Sequence, residues 1–315
     1  VIAYRCFRNE DPVRLADVWR SAALGPGAMQ PMTASLLEEA VFSKPYFDRE
    51  GLVVACDDGR PVGFAHAGFG SNGPGTAIDT STGATLLVVV AAHAAVDEIA
   101  AGLLARCEEY LRRRGATTLL GGGSSSMRSF YLGLYGGADL PGILDSSLAM
   151  RRAFEQAGYV AAERIAVLRR PLSGFRPPVN RVQLALRRET TLRAIDEPPR
   201  RSWWEAATLS AIAVRRYELV GQGDEPLGAA TYWSMQPFAG TLGVTAAGLL
   251  HVGIEAGRRR QGLGHYLVAE SLHHLAQEGV TMAEMQVPAA NTAALGLCAK
   301  LGFETVEQGT VFGRP

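Results

Sequence analysis

The chain has 315 residues, 47% of them hydrophobic and 20% charged, with 31 basic side chains against 31 acidic ones. That length suits one large or two ordinary domains with a real core. The charge balance excludes the basic excess that a nucleic-acid footprint requires.

Cys6, Cys56, Cys107 and Cys298 are widely spaced and follow no metal-ligand pattern, so they read as free thiols of a reducing cytoplasm. The longest apolar stretch, 84–96, is interrupted by Thr85 and His93 and is too short to span a bilayer. The first residues show no basic-then-apolar signal pattern. A cytoplasmic protein with no membrane or nucleic-acid partner, monomeric or homodimeric, is expected.

In chain order, residues 52–66 (LVVACDDGRPVGFAH) read as strand, polar turn and strand, hence a hairpin. The glycine-rich stretch 121–142 reads as an insertion. Ser124-Ser125-Ser126 within it lacks the strand–turn–helix setting of a nucleophilic serine. Residues 153–159 (AFEQAGY) close a helix, and 171–180 (PLSGFRPPVN) read as a proline-broken linker. The helical region around Trp203-Trp204 follows.

The hairpin pattern then returns at 217–231 (YELVGQGDEPLGAAT), with Gly228 in the place of Gly63, and the helix end returns at 297–303 (LCAKLGF). This self-similarity points to a duplicated domain, with halves 1–173 and 174–315. In the second half a long strand is expected near 247–254, followed by a helix over 262–277 with Val268, Leu272 and Leu275 on its inner face. A strand over 283–287 and a helix over 292–300 follow, with Gly302 as its stop. A mixed sheet flanked by helices in each half makes the fold class α/β (α+β).

Residues 259–264 read Arg-Arg-Gln-Gly-Leu-Gly between that strand and that helix. A helix N-terminus carries unpaired N–H groups and the positive end of the dipole. Gly262 and Gly264 admit a phosphate close to the backbone, and Arg258, Arg259 and Arg260 add charge. The expected ligand is a pyrophosphate-bearing cofactor. Residues 291–303 read Asn-Thr-Ala-Ala-Leu-Gly-Leu-Cys-Ala-Lys-Leu-Gly-Phe. Together the two segments resemble the GNAT superfamily of acyl-CoA-dependent N-acyltransferases. Arg259, Gly262 and Gly264 match its first motif. Asn291, Ala294, Leu297, Lys300, Gly302 and Phe303 match its second.

The resemblance implies two tandem GNAT-like domains, with acetyl-CoA as cofactor of the second. It assigns Val252, Ile254, Arg259, Arg260, Gln261, Gly262, Leu263, Gly264, His265 and Asn291 to the cofactor. The Ile254 amide would stabilise the oxyanion. Two family positions have changed: Cys298 stands where the acid tyrosine is usual, and Gln286 where some relatives carry a basic glutamate. Glu284, His251 and Glu255 are the remaining candidates for a base, and Cys298 for an acid.

In the first half the glycine motif is replaced by Ala95-Val96-Asp97-Glu98-Ile99-Ala100, with two carboxylates that favour the helix terminus and repel a pyrophosphate. That half is expected to be degenerate. The reading is an N-acetyltransferase moving an acetyl group directly from acetyl-CoA to a primary amine, a small metabolite. The alternative is a non-catalytic acyl-CoA-binding or regulatory protein.

Overall fold

The computed structural model describes residues 1–314. The first part of the chain forms β1 (Ile2–Cys6), α1 (Pro12–Ser21), α2 (Ala34–Leu37), β2 (Leu52–Asp57), β3 (Arg60–Ser71), β4 (Ile78–Val90), α3 (Val96–Arg113), β5 (Thr118–Gly121), β6 (Ile143–Leu144), α4 (Leu148–Gln156) and β7 (Val160–Pro171). The rest forms α5 (Arg181–Glu189), β8 (Thr191–Asp196), α6 (Trp203–Thr208), β9 (Val214–Val220), β10 (Pro226–Ser234), α7 (Ala239–Leu242), β11 (Ala246–Ile254), α8 (Leu263–Gln277), β12 (Met282–Pro288), α9 (Thr292–Lys300) and β13 (Glu304–Arg314).

Both expected hairpins form. β2 and β3 pair antiparallel to Asp57↔Arg60, across Asp58 (φ 47°) and Gly59 (φ 79°). Two central residues with positive φ match the right-handed twist of the strands they join. The apolar run at 84–90 is the buried end of β4. The helices form where the 3.6-residue stripe is apolar: α8 buries Leu267, Val268, Leu272 and Leu275, and α3 buries Ile99, Leu103, Cys107 and Leu111. No helix among the described residues is long and apolar enough to cross a membrane.

The chain divides into two units that do not follow its order. The first comprises 1–166, 201–211 and the residues from Glu307 onward; the second comprises 167–200 and 212–306. In the first the strand order is β1-β2-β3-β4-β5-β13, with β6 also on β13. In the second it is β7-β12-β11-β10-β9-β8, of which β7 supplies 167–171. Each is a mixed sheet: β4–β5 and β11–β12 are parallel, and β2–β3, β3–β4, β9–β10 and β10–β11 are antiparallel.

A simple cut between 173 and 174 therefore needs correction, because the first unit draws its last strand from the end of the chain. The strand pattern of 304–314 is readable in sequence, but its partner is chosen by the free edge of β5. The 201–211 segment also belongs to the first unit. There the Trp204 indole N–H donates to the Arg128 carbonyl (3.0 Å), its ring lies 4.4 Å from that of Tyr46, and Lys44 Nζ donates to the Thr208 carbonyl (2.9 Å) at the end of α6. Trp204 is thus a core residue of that unit, while Trp203 stays 43% exposed.

The glycine-rich stretch is no surface loop. Phe130, Tyr131, Leu134 and Tyr135 are buried in it. β13 closes over its end so tightly that a Cβ on Gly309 would lie 2.1 Å from the Pro141 carbonyl oxygen. Gly309→Val should therefore destabilise the first unit by about 1–3 kcal/mol, the usual cost of overpacking. Hydrogen exchange checks this: amides of Leu144 and Phe312 should lose protection before those of Ala230 and Val252. Equal loss in both sets would refute it.

Candidate functional site

The second unit opens a slot in its own sheet. β11 and β12 pair in parallel only at Ala246↔Met282, Ala247↔Ala283 and Gly248↔Glu284. Beyond that point β11 runs on to Ile254 and β12 to Pro288. Backbone direction follows from the other edge of β11. Glu255 donates its N–H to the Leu227 carbonyl of β10 (3.0 Å), so alternation turns the amides of Ile254 and Val252 towards the slot. The Ile254 carbonyl points the same way and accepts from Arg259 Nε (3.1 Å).

The slot ends at the turn into α8. Gly262 there is left-handed (φ 85°), a conformation that costs other residues energy. Among the described residues no side chain caps α8, and its first backbone bond runs from the Tyr266 N–H to the Gly262 carbonyl (3.0 Å). The amides of Leu263, Gly264 and His265 consequently have no acceptor within the helix. Gly264 has room, since a Cβ there would meet only Ile254 Cγ1, at 3.6 Å, whereas one on Gly262 would lie 3.0 Å from Val182 Cγ1 of α5. This cradle fits a diphosphate.

The arginines divide their work. Arg258 is held by Glu225 through Nη2 (2.8 and 2.9 Å), whereas Arg260 and Gln261 are exposed. Burial, and then the charge of Lys300, lower the pKa of His265, which leaves it neutral at physiological pH. Asn291 caps α9, its side-chain oxygen accepting from the Ala294 N–H (3.1 Å).

A β-bulge sorts the candidate catalytic side chains. Tyr232 pairs with Leu249 but Thr231 pairs with His251, so Leu250 is the extra residue. Tyr232 faces α8, where its hydroxyl meets Ser271 Oγ (2.7 Å). Leu249, Val252 and Ile254 share that face, and Gly248, His251, Gly253 and Glu255 take the other. Pairing with Gly248 puts Glu284 on this second face, and Gln286 two residues on joins it. The bulge thus brings His251 and Glu284 to one side of the sheet. The His251 ring leans along its own strand, with Cε1 2.9 Å from where a Cβ of Gly253 would be.

Two sequence candidates fare differently from expectation. Glu284 is fully buried and already engaged: Arg169 Nε donates to it at 2.6 Å and Gln286 Nε2 at 3.2 Å. Such a carboxylate already has an ion-pair partner. Cys298 faces away from His251, packed against Met285 with sulfur to sulfur 3.3 Å. Burial pushes its thiol up to about 11, as expected of a thiol packed among side chains. Arg169 escaped the sequence reading. Its only signal there was an Arg-Arg pair directly after the apolar run 165–168.

Residues 182–303 match the acetyltransferase (GNAT) family model. The chain carries a GNAT domain. A 64-residue stretch is 38% identical to the mycothiol acetyltransferase of Kytococcus sedentarius, and spans 20% of this chain and 22% of that protein. In that match the chain covers about a fifth of the curated relative's length. Over its whole length the chain resembles a GCN5-related N-acetyltransferase from Sphaerobacter thermophilus (TM-score 0.65, 16% identity, 100% of this chain and 96% of that one). It also resembles a tandem GNAT protein from the clavulanic acid biosynthesis pathway (TM-score 0.65, 15% identity, 99% and 98%). The fold is therefore two tandem GNAT-like domains.

The first GNAT-like unit splays in the same way, with β4–β5 pairing ending at Thr85↔Gly121. Its helix start differs. α3 carries Asp97 and Glu98 in its first turn, and Asp97 pairs with Arg152 (2.6 Å). A cavity of about 360 Å³ lies there, lined chiefly by Val88, Val90, Val96, Ala149 and Met150. Ser147, at the position of Asn291, makes no cap but donates to the Leu24 carbonyl (2.6 Å).

The placement of Cys298 has a chemical consequence. Native protein treated with iodoacetamide should be alkylated at exposed Cys6 and spared at Cys298 until denaturant is added. Its raised pKa also has a sign: burial of the neutral thiol stabilises the fold fully below the ordinary value of 9.0, and that contribution is lost as pH rises through about 11. Peptide mapping that finds Cys298 alkylated as fast as Cys6 would refute the buried placement.

Proposed function

We propose that the chain is an N-acetyltransferase, moving an acetyl group from acetyl-CoA to the primary amine of a small molecule by direct transfer. The observation that carries this reading is the uncapped, glycine-lined start of α8 at the end of a slot between two splayed strands. When bound, acetyl-CoA would supply an acyl group already activated as a thioester, and coenzyme A would leave as the free thiol. The residues that would hold it are the amides of Gly262, Leu263, Gly264 and His265 with Arg259, Arg260 and Gln261 at the diphosphate. The backbone edge of Val252 and Ile254 lies along the arm, with Asn291 at the start of the neighbouring helix.

The Ile254 amide faces the slot, where a fixed donor favours negative charge developing on a carbonyl oxygen. An amine attacks only after losing its proton, and an ordinary lysine-like amine has a pKa of ~10.4. His251 is the exposed imidazole beside the slot, a side chain of the type that most often takes such a proton. Glu255, four residues on along the same face, is a second acceptor. The first domain is assigned no diphosphate, since Asp97 and Glu98 oppose one.

One observation favours a second reading, a protein that binds acyl-CoA without turnover. Glu284 is occupied by Arg169, and Cys298 is packed away. Thiol release from acetyl-CoA across an amine library, run beside a coenzyme A binding assay, separates the two. Turnover on any amine supports the first reading, and binding alone supports the second.

Gly264→Asp tests the site itself. A carboxylate in the first turn of a helix suits the dipole and has room here, so the fold should persist. Against a diphosphate it should weaken coenzyme A binding by at least about tenfold, roughly 1.4 kcal/mol. Unchanged affinity by calorimetry would remove the cofactor from this turn. His251→Gln should lower kcat by about 10²–10⁴-fold, the usual worth of a general base, and leave coenzyme A affinity intact. An unaltered pH–rate profile would exclude His251.

A further inference from the structure

We infer that Arg169 recognises a carboxylate on the acceptor, so that the preferred substrate is an amine that also bears an acid group. The inference rests on the acyltransfer reading and adds the acceptor's chemistry to it. Arg169 lies on β7, the strand beside β12 in the second unit. Its Nε is bound to Glu284 Oε2 at 2.6 Å. Among the described residues its two terminal nitrogens have no hydrogen-bond partner, and its side chain is 33% exposed against 0% for Glu284. One side of the guanidinium is thus anchored in the sheet, and the terminal fork stays available.

Position gives that fork a purpose. Glu284 pairs with Gly248 in the last rung before β11 and β12 separate, so the ion pair marks the foot of the slot. It lies on the face shared with His251, opposite the one that α8 and α9 cover. Arginine's planar, permanently charged fork matches a carboxylate through two parallel hydrogen bonds. A lysine would need no such anchor and would provide no such plane. Glu284 holds the group at fixed orientation, so less freedom is lost when a ligand binds. A buried carboxylate is strongly destabilising without its partner, which explains why the pair is built together.

The experiment compares acceptors that differ in one group, an ω-amino acid and its primary amide, each titrated calorimetrically into protein saturated with coenzyme A and each assayed for acetylation. The acid should be preferred by about tenfold or more, expressed mainly in KM and in the binding constant. Arg169→Gln alone would strand the Glu284 charge, so the decisive variant is Arg169→Gln with Glu284→Gln, two neutral amides of similar size. It should bring the acid-to-amide ratio to near one. Glu284→Gln alone keeps the guanidinium and should keep the preference. Equal handling of acid and amide by the unaltered protein, or a preference that survives in the double variant, would overturn the inference. If no amine is acetylated yet the acid still binds in preference to the amide, acyl transfer fails and carboxylate recognition stands.

Discussion

The site depends on two parallel strands that stop hydrogen-bonding partway along. After Gly248↔Glu284, β11 and β12 diverge, and each offers backbone groups to whatever lies between them. Unpaired amides in a sheet are costly unless something satisfies them. That cost makes the slot suited to an extended ligand, which the amides of Val252 and Ile254 would pair with under the proposed function. The turn at Gly262 completes the arrangement, because an extended arm that leaves the slot meets bare helix amides suited to phosphate.

The bulge at Leu250 decides what stands beside that slot. Side chains alternate along a strand, so one inserted residue moves every later side chain to the opposite face. His251 and Glu255 thereby join Glu284, Gln286 and Arg169, while Ile254 turns towards Gly264. The slot-facing amides therefore lie in the plane of the sheet, while the polar side chains stand on one face of it. Glu284, the acid of β12, is already engaged, because it anchors Arg169.

The two units share one design and differ in detail. Both splay after three or four parallel rungs. Only the second starts its helix with bare glycines. In the first, Asp97 and Glu98 satisfy the dipole themselves, and the cavity is lined mostly by apolar side chains, with His93 and Asp97 at its edge. Ser147 serves the core through Leu24 and Tyr135, whereas Asn291 caps its helix. A small set of substitutions at one turn therefore separates a phosphate cradle from an apolar pocket in similar backbones.

Local features were readable from sequence. Asp58-Gly59 requires a tight turn, α9 spans 292–300 as its cap and Gly302 require, and the Arg-Arg-Gln-Gly-Leu-Gly run at 259–264 heads a helix. Each rests on residues adjacent in the chain, where φ preference, capping and periodicity act directly. The rest needed tertiary structure. That β13 completes the first unit depends on which strand edge lies free. The partner of Glu284 lies 115 residues away along the chain, and the burial of Cys298 depends on how α9 packs on β12. A bulge leaves no mark in the residues it displaces, because it is defined by the neighbouring strand. Sequence thus determined the elements and the phosphate-ready turn; pairing across distant strands decided which side chains face the slot and which are already taken.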